Sequence, residues 1–596
     1  MTRMVDVLLY PPKGKDRYEA VVDGHCYYVD KTPLLKAVFQ DNSDQVLQIT
    51  RPRRFGKSLT MSMFYAFLTI NYKDPSDLSR HQELFSNRQI YKERDFCKNY
   101  MGKYPVLFLS LKSVSALDFK GALDMMASII NSLADSLNFL QSSDHLSLSD
   151  KEFFQKLLNL DYLQSREGIS AIKLSLKKLT EFLFKHFNQK CILLIDEYDV
   201  PLAKASINNY YLQMVDLIRG MFEGALKSND LNLEKAVLTG CLRVSKESIF
   251  TGLNNLSVNT FYSKDEDLAT AIGFTEAETN TMLDYYGLGE YKKLVKENYD
   301  GYNFNNHELY CAWDVVCFCR DALKNKSTNT ITADCYWFST SSNELLTDFL
   351  GFLSPKDADD MQTLMDGGEI SKKVRTDMNY EDLKKHRSDD FWSMLAYAGY
   401  LTVAGKSTFD VDNGPLPFKI PNLSIKKFFG NRIQEYFSDE IFSGNKGTTL
   451  TQAIFEGNAP KVKAVLREIL QRYISVRDIS AKIPKEYYYH ALLNGYFSSQ
   501  EDLIAQYSSN AEAGDGYTDI RFESMDGLKA VIIELKYADD PKLMSSLATK
   551  AIEQIEDKNY KDAYIGDDDT QILAYGICFS KKNCAVALKK LNNTES

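Results

Sequence analysis

Gly56-Lys57-Ser58 is the first group along this chain whose residue types and spacing suit a chemical task. It closes the stretch Gln45–Ser58 (QVLQITRPRRFGKS), where the apolar run Val46-Leu47-Gln48-Ile49 meets a basic loop. A strand entering a tight turn that opens a helix at about Ser58 turns backbone N–H groups and the positive end of the helix dipole toward one concavity, an anion site. In such a site Lys57 reaches the β- and γ-phosphates of a nucleotide, and the Ser58 hydroxyl takes a place on Mg²⁺. The usual spacing has glycine at position 51, where this chain has Arg51, followed by Pro52, Arg53 and Arg54. Because Gly-Lys-Ser also occurs in ordinary surface turns, the reading depends on an acidic strand downstream.

That strand is Cys191–Asp196 (CILLID), followed by Glu197-Tyr198-Asp199. Apolar residues ending in two carboxylates fit a buried parallel strand whose C-terminal end meets a metal-phosphate site. There Asp196 holds Mg²⁺, often through water, and Glu197 orients and polarises the attacking water. The alternative is a buried strand ending in a solvated acidic turn. A further strand, Lys235–Thr239 (KAVLT), precedes Gly240 and Arg243. Thr239 stands where a polar residue senses the γ-phosphate. Arg243 is either a charge-stabilising arginine, acting in its own subunit or on a neighbour in a homo-oligomer, or a surface salt-bridge partner.

A second constellation lies near the other end. Tyr517–Glu523 (YTDIRFE) and Lys529–Lys536 (KAVIIELK) are strand patterns joined by Ser524-Met525-Asp526-Gly527, and Asp-Gly is a hairpin signal. Asp519 lies on the first strand, and Glu534 and Lys536 share one face of the second. Pairing of residues near 519 with residues near 532 brings both carboxylates to one end of the ribbon. Two carboxylates and a lysine are the minimum set for Mg²⁺-dependent phosphodiester hydrolysis. Asp519 and Glu534 hold the metal, and Lys536 positions the water or stabilises the developing charge. Leu547, Ala551, Gln554 and Ile555 mark a helix face that turns Gln554 toward this site, and Ile572–Phe579 is a further strand. The alternative is a solvent-facing Glu-Leu-Lys on an ordinary strand.

The elements that must position these groups read as follows. Thr32 is an N-cap with Pro33 at the first helical position. Leu59, Met63, Phe64 and Phe67 mark the apolar face of the helix after the phosphate loop. Tyr104–Leu111 is a second buried strand, residues 115–190 are mostly helical, and from about 270 the chain is helical and aromatic. Boundaries are expected at Asn413–Pro417 and near Ile479–Pro484. With 596 residues the chain needs several cores. Its ten cysteines are scattered with no C-x-x-C pair, which fits free thiols in a reducing, cytoplasmic setting. No apolar run approaches a membrane-spanning length, and Val7-Leu8-Leu9-Tyr10 ends at once in Pro11-Pro12, too short for a signal-peptide core. A net charge of −10 gives no global positive field for nucleic acid, so any such contact needs a local basic surface.

The residues from about position 20 to about 400 resemble the AAA-ATPase-like family of bacterial P-loop proteins. The likeness is carried by Arg51–Ser58 (RPRRFGKS), including the arginine in place of the first glycine, and by Tyr28–Thr32, Leu194–Leu202 and Thr239–Ser248. Asn254–Leu256, Tyr299–Tyr302 and Ser339–Asn343 add to it. The resemblance implies a nucleotide-binding loop of Arg53, Arg54, Phe55, Gly56, Lys57, Ser58 and Leu59, with ATP and Mg²⁺ as cofactors. The C-terminal part resembles the PD-(D/E)xK nuclease superfamily at Asp519, Glu534-Leu535-Lys536, Gln554-Ile555 and Tyr560. It departs from that pattern at Tyr517, where the family favours arginine, and Asp519 is not preceded by proline. The implied partner is DNA or RNA. The expected architecture is α/β throughout: a P-loop ATPase domain at 1–270, a helical lid at 271–410, a connecting helical region at 411–480 and a restriction-endonuclease-like domain at 481–596.

Overall fold

Strand β1, Val46–Thr50, is buried along its whole length. Such a strand, buried on both faces, belongs in a parallel sheet covered by helices on each side. The computed structural model places it so. With β2 (Val106–Ser110), β3 (Cys191–Asp196), β4 (Leu233–Gly240) and β5 (Leu256–Asn259) it forms a sheet of order β2-β3-β4-β1-β5, every pair parallel. Parallel strands need crossovers, and the helix Gly168–Phe187, among others, supplies them. Register brings the chemistry to one edge. Ser110 pairs with Asp196, Ile195 with Leu238, and Ile49 and Thr50 with Thr239 and Gly240, so the C-terminal strand ends line up. Strand β4 lies between the acidic strand and β1.

The structure describes residues 8–40, 44–227, 229–243, 249–250, 255–324, 331–336, 355–365, 367–405, 414–430, 447–473, 485–498, 500, 502–513, 516–561 and 570–591. Val244–Ser248, Asn254, Trp337–Asn343, Asn413, the boundary near Ile479–Pro484 and Gly514-Asp515 lie outside them. The chain divides into two units, Met1–Ser341 with Glu369–Ile425, and Ser342–Gly368 with Lys426–Ser596.

In the first unit the segment after 270 is helical, as the aromatic-rich sequence suggests, and it also carries short strands. These are the hairpin β6 (Tyr302–Phe304) and β7 (His307–Leu309), and a sheet of β8 (Ile370–Lys372), β9 (Thr402–Val403) and β10 (Leu416–Lys419). The N-cap reading of Thr32 is corrected. The helix is Leu34–Phe39 with Pro33 at its cap, and the Thr32 hydroxyl donates to Asp30 Oδ1 instead. The Thr32 oxygen accepts from Ile90 N at 3.3 Å, a donor outside this helix, so it caps nothing here.

The second unit holds a sheet of order β11-β12-β13-β14-β15: Ile504–Ala513, Gly516–Ser524, Lys529–Tyr537, Gln571–Ser580 and Asn583–Leu591. All its pairs are antiparallel except β13–β14, which the helix Met544–Asp557 connects. Val531, Ile533 and Leu535 of β13 enter one core with Ile520 and Phe522 of β12 and residues of the helices Gly447–Phe455, Ala459–Tyr473 and Lys485–Ser498. Ala530 and Ile532 face the other way, into a core with Ile552 and Ile555 of the connecting helix. That helix lies so close to β14 that a Cβ on Gly576 would stand 2.1 Å from Ala548 O, which only glycine permits.

Candidate nucleotide site and candidate nuclease site

The phosphate loop leaves β1 at Arg51 and reaches the helix Lys57–Leu68 through Gly56, whose φ of 105° lies in the left-handed region. A Cβ added at Gly56 would meet nothing within 4 Å, so the loop presents backbone toward open space there. Lys57 is 3% exposed, and its ammonium is folded onto its own loop. Lys57 Nζ donates to Arg51 O and Pro52 O at 3.2 Å each and to Cys241 Sγ at 3.5 Å, and lies 3.4 Å from Glu197 Oε1. Burial works against a charged Lys57, yet the surrounding Cys241, Glu197, Asp196 and Asp199 outweigh it and hold the ammonium above the ordinary lysine range. Burial pushes the Cys241 thiol up to about 11, so near neutrality the charges facing Lys57 are the carboxylates.

Asp196 ends β3 with 1% exposure. Its carboxylate accepts from the Ser58 hydroxyl and from Thr239 Oγ1, the latter at 2.7 Å. Burial, and then the neighbouring Glu197, raise its pKa above the usual carboxylate value. Glu197 itself sits at φ 54°, a left-handed turn that a non-glycine residue adopts only under constraint. Thus the structure brings Lys57, Ser58, Asp196, Glu197 and Thr239 together at the C-terminal edge of the sheet. The oxygen donors Ser58 and Asp196, already in contact, fit a hard divalent cation such as Mg²⁺.

Other residues of the expected loop lie differently. Burial works against a charged Arg53, whose neighbours Cys241, Tyr380, Asp199 and Glu197 include two carboxylates that favour the charge, so it belongs to the same cluster. Arg54 turns away, over the Trp313 ring at 4.5 Å. Phe55 is buried against Tyr302 and Phe304, with ring centroids at 4.9 and 5.9 Å. Leu59 is half-buried on the first turn of the helix. Arg243 is held by the hydroxyl of Tyr262, to which its Nη1 donates at 2.7 Å.

Several residues that brace this loop escaped the sequence reading. Arg51 is 1% exposed, donates to Thr50 O and Leu268 O, and lies over the Phe304 ring at 4.7 Å. In place of glycine it ties the end of β1 to a segment more than two hundred residues away. Trp313 N donates to Arg54 O at 3.2 Å, and a Cβ on Gly399 would strike Pro52 at 2.6 Å. Asp199, 1% exposed, accepts from the backbone N–H groups of Cys241 and Leu242. Arg51, Asp199, Cys241, Leu242 and Tyr302 lay within motifs the sequence singled out. Nothing in the sequence marks Phe304 or Trp313, and Gly399 reads there only as part of a packed aromatic stretch.

Asp314, beside Trp313 and 3% exposed, is raised to about 7, first by burial and against the field of Arg54. An acid whose folded-state pKa exceeds its unfolded value binds its proton more tightly when folded. Stability therefore falls as pH rises from the ordinary carboxylate value to about 7, and levels off above it. Asp314→Asn is expected to remove that part of the slope and to stabilise the protein at pH 8 by up to about 4 kcal/mol. Urea unfolding at pH 5 and pH 8 measures it, and an unchanged slope in the variant rules the titration out.

In the second unit Asp519 and Glu534 meet where β12 and β13 part. The register is Ile520 opposite Ile533 and Arg521 opposite Ile532, so residues near 519 lie opposite residues near 532, as the hairpin pattern predicts. The turn at Asp526-Gly527 sets it, with Gly527 at φ 71°. Asp519 Oδ2 accepts from Leu535 N at 2.7 Å, and Asp519 O accepts from His490 Nε2 at 3.0 Å and from Ser509 Oγ at 3.2 Å. Glu534, 3% exposed, continues the row of Ala530 and Ile532 under the connecting helix. Its Oε1 accepts from Lys536 Nζ at 2.9 Å and from Gln554 Nε2. The structure thus joins Glu534, Lys536 and Gln554 directly and sets Asp519 beside them through Leu535. Among the described residues no group of three or more His, Cys, Asp or Glu side chains that could hold a metal occurs, so each site offers a small oxygen-donor set.

Comparison with known proteins agrees with both halves. Residues 12–250 match the AAA-ATPase-like family profile, described as "Predicted AAA-ATPase", and residues 484–588 match the PD-(D/E)XK nuclease superfamily. An "Uncharacterized protein in vnfD 5'region" of Azotobacter chroococcum mcd 1 is 21% identical over 590 residues, covering 96% of this chain and 97% of that protein. Among solved structures, the Aeropyrum pernix ORC2 protein in its ADPNP-ADP complexes is 12% identical over 72% of this chain and 97% of that one. Its TM-score of 0.22 carries no argument about this fold. No helix among the described residues is long and apolar enough to cross a membrane. The α/β architecture expected from the sequence is present, with a P-loop-type parallel sheet flanked by helices and a separate mixed sheet of the restriction-endonuclease-like kind. The chain carries an N-terminal AAA-ATPase-like domain at residues 12–250 and, fused to it in the same polypeptide, a C-terminal PD-(D/E)XK nuclease-superfamily domain at residues 484–588.

Proposed function

We propose that the N-terminal domain binds and hydrolyses ATP, and that its nucleotide state controls phosphodiester cleavage of DNA or RNA by the C-terminal domain. The observation that carries this reading is the convergence of Lys57, Ser58, Asp196, Glu197 and Thr239 at one sheet edge, in a chain that also joins Glu534 to Lys536 and Gln554. Lys57 binds phosphate oxygens, Ser58 and Asp196 hold the cation, Thr239 orients Asp196, and Glu197 holds the attacking water and takes its proton. Asp519 and Glu534 hold the cation of the second site, Lys536 orients the water, and Gln554 fixes the Glu534 carboxylate. Mg²⁺, when bound, offsets phosphate charge and acidifies water at these positions.

The test is cleavage of mixed single- and double-stranded DNA and RNA with Mg²⁺ or Mn²⁺, with and without ATP. Wild-type cleavage is expected to vanish in Asp519→Ala and to lose its ATP dependence in Lys57→Ala. Activity surviving in Asp519→Ala removes the nuclease assignment. A second reading has the chain as a nucleotide-driven switch whose nuclease-like domain binds nucleic acid or protein without cutting. The net charge of −10, which provides no global attraction for a polyanion, favours it. ATP hydrolysis with no cleavage of any substrate supports that reading over the first.

A further inference from the structure

Asp199 makes more contacts than a carboxylate at the end of an acidic strand requires. Its Oδ2 accepts three hydrogen bonds, from Cys241 N at 3.1 Å, Leu242 N at 2.9 Å and the Tyr380 hydroxyl at 2.9 Å. Its Oδ1 is buried with no hydrogen-bond partner, and a Cβ on Gly240 would stand 2.7 Å from it. Residues 241 and 242 directly continue β4, whose Thr239 is bonded to Asp196, and Cys241 Sγ touches Lys57 Nζ. Tyr198 closes the same loop from the other side by donating its hydroxyl to Leu242 O. Lys57, Thr239 and the loop after β4 are therefore joined, through Asp199, to a tyrosine 181 positions along the chain.

Tyr380 is not free to move alone. It opens the short helix Tyr380–Leu383, which Asn379 caps, and its carbonyl accepts from Ser206 Oγ. Asp382 of that helix pairs with Arg375 and Arg387, and both arginines also pair with the fully buried Asp390. The carboxylates of this network are buried while its arginines reach solvent, and losing an arginine would leave the buried Asp390 charge with one partner fewer. Arg375 and Arg387 also line an open cleft of about 710 Å³, so a shift of Tyr380 reaches the surface.

We propose that Asp199 and Tyr380 form a latch through which the nucleotide site positions the segment Glu369–Ile425, and that both are positioning residues for ATP hydrolysis. The inference rests on the ATPase reading above. When phosphate draws the Lys57 ammonium off Glu197 and Cys241, Asp199 loses part of the positive field that offsets its burial. Its three donors then carry more of that charge. The Tyr380 bond tightens, and the network behind it is held in the nucleotide-bound position.

Tyr380→Phe removes one hydroxyl and keeps the ring, so the fold is expected to survive, which thermal unfolding checks. A fluorescent ATP analogue should bind this variant within about twofold of wild type, whereas kcat falls about tenfold with KM little changed, as expected for a lost hydrogen bond to a charged group. Hydrogen–deuterium exchange gives a readout independent of turnover. Wild type is expected to gain protection in peptides spanning 373–390 on adding a non-hydrolysable ATP analogue, and Tyr380→Phe is expected to lose that response. Retention of both the response and kcat in Tyr380→Phe overturns the latch. A wild type that binds the analogue without any change in these peptides overturns it too, leaving the ATPase reading intact. A wild type that binds no nucleotide overturns both.

Discussion

Exchanging Glu197 for glutamine is expected to lower the kcat of ATP hydrolysis by about a hundredfold to a thousandfold while nucleotide affinity holds or tightens. Glutamine keeps the volume and a hydrogen-bonding carbonyl but takes no proton from water. Glu197 is held at φ 54° at the end of β3, so its side chain leaves the strand toward the loop rather than along the sheet. In the ligand-free arrangement its Oε1 lies 3.4 Å from Lys57 Nζ. A nucleotide must compete for that ammonium, and an uncharged residue at 197 competes less. Phosphate release measures the first effect and titration with a fluorescent ATP analogue the second. Turnover at the wild-type rate in Glu197→Gln removes this residue from the chemistry.

Glu534→Gln is expected to reduce phosphodiester cleavage by about a thousandfold at saturating Mg²⁺. The substitution deletes the negative charge of one of two carboxylates in a small donor set. It also deprives Lys536 of the charge 2.9 Å from its ammonium, so the lysine loses its fixed position. Gln554, which donates to the same oxygen, keeps a carbonyl to bond. The side chain is 3% exposed, and an isosteric amide fills the same space, so folding is expected to hold and thermal unfolding checks that it does. Gel-resolved cleavage with Mg²⁺ and with Mn²⁺ reads the effect. Cleavage that persists in this variant places the active carboxylates elsewhere.

Both predictions concern residues visible in the sequence, and the reason is physical. An apolar run that ends in a carboxylate, a short strand followed closely by Gly-Lys-Ser and an Asp-Gly between two alternating segments are patterns within a window of about ten residues. Backbone preference and burial act on that scale. Strands β1, β2, β3, β4, β12, β13 and β14 were legible on those grounds. Strands β5, β11 and β15 were not. Leu256–Asn259 is only four residues long, and Ile504–Ala513 is largely polar.

What the sequence by itself determined is the inventory: a phosphate loop, an acidic strand, a hairpin bearing Asp519 and Glu534, and the two families they resemble. The tertiary structure alone decided how that inventory is held. It made Arg51 a buried strut to Leu268, gave Arg243 to Tyr262, and set the Asp519 carboxylate on Leu535 N. It also joined Tyr380 to Asp199 and Trp313 to the loop carbonyl of Arg54. These partners lie tens to hundreds of residues apart, and no local period or spacing encodes them. They meet because each buried donor and charge must find a partner once water is excluded, and which partners are within reach is set by packing of the whole unit.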